Sequence, residues 1–103
     1  LTLRVRVTPE AQAELAESRD WYETASSGLG ADFLDRVEAT PRSAADWPNA
    51  AAVVDGTMRR ALVPRFPHGV FYTVEGEDLV VLDCVHVRRH PRVWRSRRPK
   101  WGT

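Results

Sequence analysis

Two sets of side chains in this sequence could carry chemistry. His86 and His90 are acid–base candidates, because imidazole exchanges protons near neutrality. Around them lies an unusual density of arginine. Seven Arg or Lys fall in the thirteen residues from 88 to 100, with Trp94 among them. Guanidinium groups offer bidentate contacts to phosphates and carboxylates, and an indole offers a stacking face. Arg89, Arg92, Trp94 and Arg95 therefore read as a surface for a nucleic acid or an acidic protein, against the plainer reading of a solvated cationic end. Arg59, Arg60 and Arg65 add a second basic group upstream. His86 has a plain reading too, as a strand-end residue with local hydrogen bonds, and His68, in Pro-His-Gly, reads as a turn residue. Cys84 lies in an apolar run and reads as ordinary core.

The charge distribution sharpens this picture. The chain has 103 residues and a formal net charge of +1. Residues 1–55 hold five Arg against ten acids, whereas residues 56–103 hold nine Arg and one Lys against four. Such segregation points the second half toward an anionic partner. The length allows one domain. No apolar run approaches the ~18 residues of a membrane span, and no secretory leader is evident, so a cytoplasmic protein is expected. One Cys excludes an internal disulfide, and one Cys with three scattered His gives no zinc spacing. No Gly-rich phosphate loop is present, and no cofactor is expected.

The elements that must position these residues follow from periodicity. Leu1 to Val7 alternates apolar and polar and reads as a half-buried strand. Thr8-Pro9-Glu10 is a helix start, with Thr as N-cap and Pro in the first turn. That helix runs to Ser26-Ser27-Gly28, and a second begins at Leu29, with Phe33 and Val37 on its stripe. Pro41 predicts a break near residues 39–41, since mid-helix proline costs ~3 kcal/mol. Residues 48–56 read as a connector. Thr57 to Phe66, Gly69 to Glu75 and Leu79 to Val87 read as strands, the last two joined by Glu75-Gly76-Glu77-Asp78 as a hairpin. The order is β-α-α-β-β-β, an α+β fold with a helical hairpin on an antiparallel sheet. Trp21, Tyr22, Phe33, Trp47, Phe66, Phe71 and Tyr72 fall on apolar stripes and are expected in the core.

Two stretches of this pattern are more specific. Arg59-Arg60, Phe66-Pro67, then Gly69-Val70-Phe71-Tyr72-Thr73-Val74 lead into Val85-His86-Val87-Arg88-Arg89-His90-Pro91 and Trp94. Together with Thr8-Pro9-Glu10-Ala11, Trp21-Tyr22 and Phe33-Leu34, this ordered set resembles the RelE/ParE family of bacterial type II toxins, over nearly the whole chain. The resemblance implies a toxin held inactive by a cognate antitoxin, in a hetero-oligomer. It also implies one of two targets: the ribosome and its mRNA, which RelE-like members cleave, or DNA gyrase, which ParE-like members poison. Fold alone does not choose between them.

Cleavage by a 2′-OH needs a base, an acid and cations for the phosphorane. By the resemblance, Arg59 and Arg60 stand where RelE-like enzymes place lysines, and Arg88 matches their Arg at the end of the last strand. Arginine holds phosphate well but is a poor base. Gly69 replaces an Arg, and Trp94 lies near an aromatic that is often Tyr; indole cannot act as acid or base. A nuclease of this sequence would thus depend on His86, Arg88 and Arg60. The altered positions favour the ParE-like arm, with the nuclease as first alternative and a non-catalytic RNA-binding module as second.

Overall fold

The computed structural model describes residues 2–88 and Arg97. Strand β1 (Arg4–Val7) leads into helices α1 (Pro9–Ala25) and α2 (Leu29–Asp46). Four strands follow: β2 (Ala52–Asp55), β3 (Met58–Leu62), β4 (His68–Glu75) and β5 (Asp78–His86). One five-stranded sheet results, in the order β1-β5-β4-β3-β2, with β1 parallel to β5 and every other pair antiparallel. The expected helical hairpin on a largely antiparallel sheet is therefore present. The difference is β2, which lies inside the stretch read as a connector.

Local signals fix the helices. Thr8 caps α1, its hydroxyl accepting from the Ala11 amide at 3.2 Å, with Pro9 in the first turn. Between the helices, the Glu23 carboxylate accepts from the Gly28 and Gly30 amides at 3.0 Å each, supplying the cap that α2 lacks from its own first residues. Gly28 has φ +86°, open to glycine. A Cβ on Gly30 would sit 2.7 Å from the Arg19 carbonyl, so glycine there lets the two helices approach.

Helix α2 does not break at Pro41, contrary to the expected interruption. The carbonyl that loses its amide is that of Val37, and the carbonyls on either side of it take side-chain donors: Thr40 Oγ1 donates to Arg36 at 2.9 Å, and Arg42 Nε donates to Glu38 at 3.2 Å. Pro41 is itself buried in α2's inward face. Burial of Val37, Thr40 and Pro41 on that face thus offsets the lost bond.

The core between helices and sheet holds Ala11, Phe33, Val37 and Ala45 against Val70, Tyr72, Leu79, Val81 and Cys84. A second cluster, Met58, Phe71, Val80, Leu82 and Val85, is buried as well. Strand β5 is therefore covered on both faces, which its near-continuous apolar run requires. A register shift sets Phe71 opposite Asp83 and Tyr72 opposite Val81, leaving Leu82 as the extra residue of a bulge. Val81 and Cys84 consequently share the helix-side core although three positions apart.

Two expected core residues lie outside it. Trp21 is 68% exposed and Trp47 74% exposed. Each sits at an element's margin, where the helical stripe turns away from the sheet. Tyr22, one position on from Trp21, packs inward instead, with ring contacts to Phe33 and Phe66 at centroid separations of 5.0 Å.

Candidate functional site

Two of the sequence-predicted residues, His86 and Arg60, line two clefts beside the sheet. The first opens between α1 and the ends of β4 and β5. It holds a cavity of about 480 Å³ bordered by Glu14, Glu17, Trp21, Tyr22, His68 and His86 among others. His86 stands at the C-terminal end of β5, which is an interior strand, so it is at a strand end and not at the sheet edge. His68 is paired across from His86 as the first residue of β4, buried, and not a turn residue. The turn precedes it: the Phe66 amide donates to the Val63 carbonyl at 3.4 Å, around Pro64 and Arg65.

The chemistry of this cleft is constrained by its hydrogen bonds. His86 Nδ1 accepts from the Arg88 amide at 3.0 Å. A neutral ring in that bond carries its proton on Nε2, so its free nitrogen is a donor. His68 Nδ1 lies 3.4 Å from the Tyr22 hydroxyl, and burial, then the charge of His86, push its pKa down to about 4. It is neutral at physiological pH. Burial, then Cys84, raises the Tyr22 hydroxyl. The cleft is aromatic and acidic-rimmed, with one of its two imidazoles, His68, held neutral.

The second cleft is larger, about 930 Å³, between α2 and β2–β3. Its floor is made of small residues, including Ala39, Ala44, Ala51 and Ala61, with exposed Trp47 and Leu62 at the margins. Arg36 and Arg60 also line it. Arg60 crosses Gly69: a Cβ there would lie 2.9 Å from Arg60 Cγ, so the glycine leaves room for the arginine stem. The position at which the resemblance expects an Arg instead makes room for the stem of Arg60. Arg60 Nε is buried without a hydrogen-bond partner.

Among the described residues none borders both clefts, and Arg60 and His86 line different ones. Arg88 is exposed in the turn after β5. Arg59 has a structural engagement: its Nη1 donates to the Ala51 carbonyl at 2.6 Å and the Asn49 carbonyl at 3.2 Å, holding the segment that enters β2. Arg89, His90, Arg92, Trp94 and Arg95 lie outside the described residues.

Arg65 is exposed and has φ +68°, the one non-glycine at positive φ among the described residues. Proline followed by positive φ is the pattern of a type II turn, whose third position favours glycine. The left-handed conformation costs a side-chain-bearing residue ~1–2 kcal/mol. Glycine's extra freedom when unfolded offsets ~0.4–1 kcal/mol of that. Arg65→Gly is expected to raise stability by roughly 0.5 kcal/mol in urea denaturation. A destabilised variant would contradict the strain.

The site residue that local sequence patterns did not flag is Asp83. It is fully buried, with its carboxyl facing that of Glu14. Its pKa is pushed up to about 8, by burial first, then by the hydrogen bond and charge of Glu14, with Arg97 and the Cys84 amide opposing. Two facing carboxyls can bond only if one keeps its proton. The Glu14 Oε1 accepts from the Cys84 amide at 3.2 Å. The Cys84 thiol is driven up to about 12 by burial and then by Glu14 and Asp83, so it is an inert core group.

Among the described residues, no helix is long and apolar enough to cross a membrane, and no group of three or more His, Cys, Asp or Glu could hold a metal ion. No curated protein matches the sequence. Among solved structures, the chain is similar to one described as the chromosomal ParDE TA system from P. aeruginosa. The TM-score is 0.69 at 17% identity, with 84% of this chain and 98% of that one covered. That likeness concerns the fold. The sequence itself matches the family model of the ParE toxin of the type II toxin–antitoxin system, parDE, over residues 5–94. This span runs from the edge strand through both helices, both clefts and His86 to Trp94, and on it the chain belongs to the ParE toxin family.

Proposed function

We propose that this protein is the toxin half of a type II toxin–antitoxin pair that arrests growth without cleaving RNA, acting on DNA gyrase. The observation that carries the reading is the separation of the would-be nuclease groups. Arg60 borders the α2–β3 cleft and His86 the α1–β5 cleft, while His86 Nδ1 is occupied by the Arg88 amide. A phosphorane needs its base and cations around one phosphate, within hydrogen-bond reach of it. Induced expression of the chain alone should therefore halt growth. His86→Ala and Arg60→Ala should leave that arrest within about two-fold of wild type, whereas a nuclease would lose orders of magnitude on removal of an acid–base group. Loss of toxicity in a folded His86→Ala protein, with loss of new mRNA ends, would favour the RelE-like alternative.

The antitoxin fits the α2–β3 groove. An acidic amphipathic segment would set apolar side chains on the alanine floor, Trp47 and Leu62, and carboxylates on Arg36 and Arg60. Leu62→Glu places a charge among those contacts at an exposed position. It should keep growth arrest and lose rescue by the co-expressed antitoxin, with affinity down ten-fold or more in titration calorimetry. Full rescue would move the antitoxin to another face.

A further inference from the structure

We propose that Glu14 and Asp83 form a built receptor for the Arg97 guanidinium, an intramolecular latch that fastens the chain at Arg97 to the helical layer. The three residues come from distant parts of the sequence. Glu14 projects from α1, Asp83 lies in the centre of β5, and Arg97 follows the described body by nine positions. Arg97 Nη2 stands 3.6 Å from Glu14 Oε2, while Glu14 Oε1 is fixed by the Cys84 amide at 3.2 Å. The two side chains are mostly covered, 32% exposed for Arg97 and 17% for Glu14. Behind them Asp83 is fully buried.

A surface ion pair with this spacing would mean little, because water screens it. This one is different in three respects. Its acceptor is oriented by a backbone donor, its Arg Nε is buried, and a second carboxyl lies beneath the first. A carboxyl placed in a sheet interior needs compensation. Of the groups that face it, Glu14 from α1 raises its proton affinity and Arg97 lowers it. The cation is therefore coupled to the buried acid as well as to its direct partner.

The latch has a consequence for partners. Arg97 belongs to the arginine-rich end of the chain, and its pairing with Glu14 competes with any external anion. A partner that takes Arg97 must replace the carboxylates it leaves. It also leaves a buried acid pair without its cation, so capture of this arginine is coupled to the state of the core. The contact is autoinhibitory for that one side chain.

The test uses the full chain and side-chain nuclear magnetic resonance. In wild type the Arg97 Nε proton should exchange with solvent at least ten-fold more slowly than in free arginine. Glu14→Gln, nearly isosteric, should remove that protection. The Asp83 titration midpoint should rise by about one pH unit in Arg97→Gln, a ten-fold gain in proton affinity, and return toward wild type in Arg97→Lys. It should fall in Glu14→Gln. The opposite directions separate the latch from simple unfolding, which would send both midpoints down to the ordinary carboxylate range. Exchange at the free-arginine rate in wild type, or an Asp83 midpoint indifferent to Arg97, overturns the proposal.

Discussion

Wild-type stability should fall between pH 6.5 and 8.5, and Asp83→Asn should abolish that fall. An acid whose folded pKa is raised binds its proton more tightly in the native state. Its contribution is fully present below the ordinary carboxylate value of 3.8 and is lost as pH rises through about 8. His68 acts in the opposite sense. Its folded pKa of about 4 lies below the usual 6.5, so its contribution is present above 6.5 and is lost as pH falls through about 4. Between about 4 and 6.5 the two slopes oppose each other. Above 6.5 only the buried carboxyl remains, until the Cys84 thiol titrates toward 12. Each pH unit in that window is worth up to ~1.4 kcal/mol for one proton, and coupling to Glu14 reduces it. Asparagine keeps the shape of the protonated acid without its ionisation. In urea denaturation the variant should match wild type within about 1 kcal/mol at pH 6 and exceed it by about 2 kcal/mol at pH 8.5. A wild-type profile that is flat across this range would contradict the shared-proton account of Asp83 and Glu14.

The second large effect is mechanical. Phe33 is fully buried and its ring meets Tyr22, Phe66 and His68 at centroid separations of 5.0, 5.2 and 4.9 Å. It joins α2 to α1, to the Pro64–Pro67 turn and to the start of β4. Phe33→Ala removes those contacts and leaves a cavity, typically costing ~3–5 kcal/mol. A single domain of this size has roughly 5–15 kcal/mol in total. The variant should thus lose roughly a fifth or more of its stability, read as a lower urea midpoint with unchanged slope. A loss under 1 kcal/mol would mean that the aromatic cluster collapses onto the space, and that this junction is less closely packed than its rings indicate.

The difference between these two residues shows what the sequence made legible. Phe33 lies on an apolar stripe of period 3.6, so its burial follows from local pattern. The Thr8-Pro9 start, the Ser26-Ser27-Gly28 boundary and the Gly76 hairpin are legible for the same reason: each signal lies within a few residues. Asp83 has no such signal. Its burial depends on a bulge opposite Phe71–Tyr72 and on a glutamate sixty-nine positions away. Glu14 on a helix reads as a solvated charge until the strand beside it is known. Trp21 and Trp47 failed in the other direction: their types and spacing say core, but neither Trp faces the sheet. Strand β2, Ala-Val-Val-Asp, is too short to stand out from its connector, and its pairing partner Arg60 is what defines it.

The site followed the same division. His86 and Arg60 were legible as chemical types, but their assignment to separate clefts is a property of topology, because β3 and β5 are separated by β4. Arg59 could be read as a cation, but not as one engaged by the carbonyls of Asn49 and Ala51. The resemblance in the ordered motifs identified the family ahead of the geometry, and the geometry then supplied reasons for weighing one chemistry over the other.

The central claim is that this ParE-family chain poisons gyrase and spares RNA. Its most direct test is plasmid supercoiling by purified gyrase in the presence of the purified protein. The account predicts dose-dependent loss of supercoiled product, relieved by the antitoxin and retained by His86→Ala. Undiminished supercoiling by a protein that still halts growth, with new mRNA ends on translating ribosomes, would contradict it.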